Sequence, residues 1–289
     1  MAKVPFGNRK ANVLANLAGP DRLDLIAEGM PIILDSADGF WASAAALGGN
    51  REARVLEGFA EEEAAKVLIL CDLVRCPASL APRKAGQVVT NFYSHLARMI
   101  YGDAQAWRPA SLEQLRGYVD SARRGHFLEG YAGEFILPNW HRYARESAMY
   151  ADIEVHESGI PTWNRPRQYT GLWSGDEPPI LRLAHALSSS GALTRRGLEV
   201  MGETWSHTAV TDEAGFNQNR FTVGAFTERL VATGLASAAT LDQLGILRHH
   251  WQVPMYDLDF AELAVPIEDL KAEREALMRA EFGDPPEAY

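Results

Sequence analysis

The chain has little cysteine, two in 289 residues. Cys71 and Cys76 lie five apart on one expected helix, which puts them on different faces and fits no zinc pattern. They are expected as buried, reduced thiols of a cytoplasmic protein. No apolar run of about 18 residues occurs, so no membrane-spanning helix is expected. The opening Met1-Ala2-Lys3-Val4-Pro5-Phe6 lacks the apolar stretch of a secretory signal. Basic charge is short as well. The net charge of -10 opposes non-specific nucleic-acid binding through the overall field, though not a local basic cleft. Strand signals are confined to Phe135-Ile136-Leu137 and Ile153-Glu154-Val155. A His-Glu-x-x-His element and a glycine-rich phosphate loop are both missing. Di-iron bundles need repeated Glu-x-x-His elements, whereas Glu203 and His207 stand alone at another spacing. Ser188-Ser189-Ser190-Gly191 reads as a helix end rather than a nucleophile elbow. No cofactor and no metal are therefore expected.

What is present is helical. An apolar content of 47% supports a sizeable core. Asp21 or Asp24 is a candidate cap for a helix to Leu47, with Leu23, Ile26, Met30 and Ile33 as its stripe. Pro31 implies a kink or a late start. Gly48-Gly49-Asn50 ends it. A second helix is expected over Arg51–Cys76, stopped by Pro77. Residues 78–86 read as a turn, and a third helix as Gln87–Tyr101. Ser111, with Gln114 three residues on, marks a short helix to Arg124. Residues 138–152 suit the last helix of a bundle occupying residues 1–158. A linker, 159–179, carries Trp163 and Trp173. The C-terminal region, 180–289, reads as helices over Ile180–Ser188, Arg195–Thr208, Arg220–Thr233 and Ala239–Trp251. His249-His250-Trp251 reads as a helix terminus, where cations suit the dipole. A charged helix over 266–282 is expected to be solvated or partner-facing.

The second helix holds the chemistry. Its stripe Val55, Phe59, Glu62, Lys66, Ile69, Leu73 and the adjacent stripe Leu56, Ala60, Glu63, Val67, Leu70, Val74 are apolar except at Glu62, Glu63 and Lys66. A face that is apolar above and below turns inward. Charges on it must be paired, hydrated in a cleft or functional. The third helix repeats the pattern, with His95 intruding among Val88, Phe92 and Met99.

Taken in order, Glu28-Gly29-Met30, the glycine turn, Glu62-Glu63-Ala64-Ala65-Lys66, His95, and Arg145-Glu146-Ser147-Ala148-Met149-Tyr150-Ala151-Asp152 followed by Pro161 resemble the AbiV family of abortive-infection proteins. The resemblance spans roughly residues 20 to 165. It implies membership of the HEPN superfamily: an all-α, up-and-down helical bundle, commonly dimeric, in many cases a metal-independent ribonuclease of antiviral defence. The usual signature of such nucleases, Arg followed by four to six residues and then His, does not occur. Arg182 to His185 has two intervening residues and Arg145 to His156 has ten.

Two readings of the cluster follow. Glu62 and Lys66, four apart, can form a structural ion pair. Alternatively Glu62 or Glu63 orients His95 as a general base on a ribose hydroxyl, and Lys66, Arg98 and Arg145 contact phosphate. Tyr150 is expected to pack or to hydrogen-bond the cluster. The corresponding functions are an antiphage effector acting on RNA or translation, and a non-catalytic homodimeric module that captures a phage or host protein. The first requires the cluster to open to solvent within a ring of basic residues. The second requires a sealed cluster and an exposed apolar patch.

Overall fold

The structure, a computed structural model, describes residues 13–107, 109, 111–133, 135–155, 160–168, 175–208 and 215–283. The expectations that fall on Trp173, on His156 and on the first residues lie outside these. The fold is an all-α bundle with two small hairpins.

Helix α1 (Gly19–Leu47) and helix α2 (Arg51–Arg75) form the long antiparallel pair. Ala18, not an aspartate, is the N-cap of α1, and Pro20 at the helix start supplies a preset φ. The helix runs unbroken through Pro31, because that residue faces solvent and the carbonyl it leaves free, at Ala27, lies on a partly exposed turn. Gly48 adopts φ 68°, the left-handed conformation that ends the helix without a Cβ penalty. The Asn50 side chain then caps α2, accepting from the Ala53 N–H at 2.8 Å.

The expected third helix is two helices. Helix α3 (Ala81–Tyr93) begins within the stretch read as a turn, and helix α4 (His95–Ala106) follows at once. Ser94 is extended, and its hydroxyl accepts from the Ala97 N–H at 3.2 Å. The break makes His95 the first residue of α4 rather than a mid-helix residue.

Helix α5 (Leu112–Ala122) starts at Ser111, whose hydroxyl accepts from the Gln114 N–H. Strands β1 (His126–Glu129) and β2 (Phe135–Pro138) pair antiparallel, Phe127 opposite Leu137. Helix α6 (Trp140–Met149) is capped by Asn139. Strands β3 (Asp152–Val155) and β4 (Pro161–Asn164) form the second hairpin, so β4 occupies part of the expected linker.

Helices α7 (Pro179–Ser189), α8 (Arg195–Trp205), α9 (Gly215–Ala232), α10 (Leu241–His250) and α11 (Ile267–Phe282) complete the chain. They do not build a separate interior. Val67, Leu70 and Val74 of α2 share one continuous core with Leu187, Met201, Trp205, Phe226, Trp251 and Phe260. Of α11 only Leu270 is buried, and Phe282 meets Tyr131 edge-on.

A buried ion pair fastens the two halves. Asp72 takes Tyr101 Oη at 2.9 Å and the Met255 N–H at 2.8 Å on one oxygen, and Arg75 on the other. Arg75 donates onward to the Gln252 carbonyl at 2.9 Å and lies 4.2 Å from the Trp251 ring centre. Burial, with Asp72 beside it, holds the Tyr101 phenol well above its ordinary range, so it stays a donor. Cys71 and Cys76 are both buried, and burial pushes each thiol up to about 12, which leaves them unreactive.

Removing one partner of a buried, hydrogen-bonded pair leaves the other charge uncompensated. Arg75→Met is therefore expected to lower the unfolding free energy by about 3–5 kcal/mol. Urea denaturation measures it, and a loss below about 1 kcal/mol would mean that Asp72 relaxes toward water.

Candidate active site

Glu62 is the hub. It projects from the middle of α2 with 4% of its side chain exposed. One oxygen meets His95 Nδ1 at 2.7 Å and Arg98 Nη2 at 3.1 Å. The other accepts from Arg145 Nε at 3.0 Å. Three elements thus converge on one carboxylate: α2, the first turn of α4, and α6. Arg98 is placed by helical spacing, one turn after His95, and its Nε also reaches the Ser94 carbonyl. Arg145 is placed by Asn139, which caps α6 and donates to the carbonyls of Ala122 and Arg124 at 2.7 Å each. That double anchor ties the start of α6 to the end of α5. The guanidinium of Arg145 then lies over the Phe59 ring, 5.3 Å from its centre.

Lys66 does not pair with Glu62. It takes Glu63, one residue later and three before it, and lies 5.6 Å from the Phe92 ring centre. Arg98 Nη1 stands 3.7 Å from Glu63. The i,i+4 pair gives way because Glu62 points into the bundle, where two arginines hold it, leaving the ammonium to the outer carboxylate. Burial pulls the Arg98 guanidinium below its ordinary value, Glu62 and Glu63 oppose this, and the group stays cationic. Tyr150 is exposed, and makes no hydrogen bond to the cluster among the described residues.

The His95 ring is the open part of the cluster, 59% exposed. Nδ1 stands 2.8 Å from Arg98 Nη2 as well as 2.7 Å from Glu62. A guanidinium only donates and a carboxylate only accepts, so one of these is a hydrogen bond for each tautomer. With the proton on Nδ1, facing Glu62, the Nε2 lone pair is left toward solvent. No hydrogen bond to Nε2 forms among the described residues. That is the arrangement of a base with an orienting carboxylate behind it.

Beside the cluster lies a cleft of about 550 Å³ between α2, α4 and α6. Glu62, Arg98 and Arg145 form part of its wall; His95 touches it only through them. Arg51, Arg54 and Arg167 add cations, while Phe59 and Trp140 add aromatic surface. Three further groups there were not legible as site residues. Glu61 is exposed by surface area, yet it stands in the wall of the cleft with protein atoms close around its carboxyl. Desolvation by those walls, followed by the like charges of Glu57 and Asp103, raises its carboxyl to about 7. Asp103 and His141 stand 3.4 Å apart; burial raises the acid and lowers the imidazole, and each opposes the other's shift. The one signal in the sequence was the spacing of His141 and Arg145, one helical turn on a single face.

No family model, no curated protein and no solved structure matches this chain. Among the described residues no group of three or more His, Cys, Asp or Glu side chains is disposed to hold a metal ion. No helix among them is long and apolar enough to cross a membrane.

Glu61 gives a pH signature. Its ordinary value is 4.5 and its folded value about 7, so the folded state holds the proton longer. Its contribution is full below pH 4.5 and is lost as pH rises through 7. Glu61→Gln should melt with the parent protein at pH 4 and above it at pH 8. Melting curves that stay parallel at both pH values would refute the shift.

Proposed function

We propose that the chain is an RNA-directed effector of the abortive-infection type, cleaving phosphodiesters at His95 by acid–base chemistry. The observation that carries this reading is an exposed imidazole backed by a sealed carboxylate and flanked by two arginines. His95 Nε2 takes the proton of a ribose 2′-hydroxyl. The 2′-oxygen attacks the adjacent phosphorus, and the 5′-oxygen departs and takes a proton from water. A 2′,3′-cyclic phosphate and a 5′-hydroxyl are left. Glu62 steadies the imidazolium, and Arg98 and Arg145 offset charge gathering on the phosphoryl oxygens. The first turn of α4 adds its N-terminal dipole. The resemblance to AbiV and HEPN proteins supports the same reading, although the Arg-to-His signature of those nucleases is missing. Here the arginines come from a position after the histidine and from another helix.

Cleavage of total RNA and tRNA is expected to persist with a chelator present and to fall by about 10²–10⁴-fold in His95→Ala. Glu62→Gln, a positioning change, should alter the pH–rate profile as well as the rate. Intact RNA with folded protein at every pH tested would refute a constitutive nuclease.

A second reading, a homodimeric capture module, is favoured by one feature. Ile153 and Trp163 face each other across the β3–β4 hairpin, 51% and 74% exposed, beside Tyr150 at 60%. In this reading sedimentation detects a dimer, and Trp163→Ser weakens it at least about tenfold. A wild-type monomer at all concentrations would exclude it.

A further inference from the structure

A second cavity lies where the C-terminal helices meet α4. It measures about 360 Å³, at the lower end of small-molecule sites. The chain carries ten more acidic than basic side chains, yet among the described residues no Asp or Glu lines this cavity. Its wall instead holds Arg182 of α7, Arg220 of α9 and Arg248, His249 and His250 of α10. The last three stand in the final turn of α10, where cations suit the helix dipole. That account does not reach Arg182 and Arg220, which come from other helices. Both are exposed, and neither side chain makes a hydrogen bond or ion pair among the described residues.

Three buried side chains of the same wall carry polar atoms without a hydrogen-bond partner among the described residues. Gln105 is 4% exposed, Asn219 7% and Trp251 3%. Gln105 Nε2 donates to the His250 carbonyl and Asn219 Nδ2 to the Trp251 carbonyl, each at 2.9 Å. Those bonds fix both amides and leave Gln105 Oε1 and Asn219 Oδ1 lacking donors. Trp251 Nε1 lacks an acceptor. Orphaned buried polar atoms are rare in a finished interior, and these three belong to residues of one cavity wall. Trp107, 38% exposed, adds an aromatic face to the same cavity.

We propose that this cavity is a second binding site, for a phosphorylated ligand of mononucleotide size. The arginines match phosphate, which guanidinium groups bind in a bidentate fashion. Trp107 offers a stacking face to a planar base. The site does not rest on the ribonuclease reading, since the Glu62 cluster contributes nothing to it. A free nucleotide and a nucleotide at the end of an RNA share this chemistry.

Calorimetric titration of the full chain with AMP, GMP, CMP, UMP, inorganic phosphate and a 5′-phosphorylated tetra-adenylate tests it. One saturable site for at least one mononucleotide is expected, weakened at least tenfold in an Arg182→Ala, Arg220→Ala double variant and unchanged in His95→Ala. Both arginines are exposed, so the double variant keeps its fold, which thermal melting checks. Tighter binding of the tetra-adenylate than of AMP would assign the site to RNA ends; the reverse order assigns it to free nucleotide. The proposal is overturned if no phosphorylated probe binds at millimolar concentration, if inorganic phosphate binds as tightly as every nucleotide, or if the double variant binds as the parent does.

Discussion

The carboxylate of Asp72 is the fixed point of this molecule. It sits in the core, 1% exposed, and is tolerable there only because Arg75, Tyr101 and the Met255 N–H all reach it. Those partners belong to α2, to α4 and to the stretch after α10. One buried charge therefore dictates where three distant parts of the sequence lie. An apolar side chain at this position would fill the space without specifying which segment covers it. Arg75 extends the constraint by stacking against Trp251, itself packed against Trp205 and Phe226. The C-terminal helices are thereby registered against α2 and not merely collapsed onto it.

The same helix places the second buried carboxylate. With the C-terminal end of α2 locked by Asp72, its middle cannot rotate, and Glu62 faces α4 and α6. Two arginines and a histidine answer it there. Desolvating Glu62 is costly unless it is paired, and the pairing holds Arg98 and Arg145 close together against their mutual repulsion. Such a cluster is electrostatically loaded. An arriving phosphate would compete with Glu62 for both guanidinium groups. The stop at Ser94 matters as much as the charges. Had α3 and α4 run as one helix, His95 would lie in mid-helix instead of at an open first turn, with the ring 59% exposed.

Much of this was legible in the residues. The stripe interrupted at Glu62, Glu63 and Lys66 marked a helix that buries charge, and His95 marked its counterpart. The all-α class followed from periodicity and from the turn residues at Gly48, Ser111 and Pro77. What escaped was set by tertiary contact. Glu62 and Lys66 have ideal spacing for a pair, but spacing cannot say that arginines 36 and 83 residues away will outbid the lysine. The break at Ser94 was missed because a serine within an apolar period is tolerated by helices. Here its hydroxyl finds the Ala97 N–H and ends one helix to begin another. Nothing local to Asp72 and Arg75, three apart near the end of α2, announces that Gln252 and Met255 will reach them.

The charge distribution adds a last constraint. The chain repels polyanions at long range, yet two adjacent cavities, sharing Ala106, Pro179 and Ile180 in their walls, gather most of their cations from separate helices. A field of this kind does not hold a duplex along the surface, where a broad basic face would be needed. It favours a phosphate that comes within a Debye length of about 8 Å of the arginines, inside the walls, where screening is weak. Such a phosphate belongs to something narrow enough to enter a cleft, as the proposed ligands would be: a single strand at Arg145, or a nucleotide against Arg182 and Arg220. Selectivity for shape then comes from the acidic exterior as much as from the basic pockets.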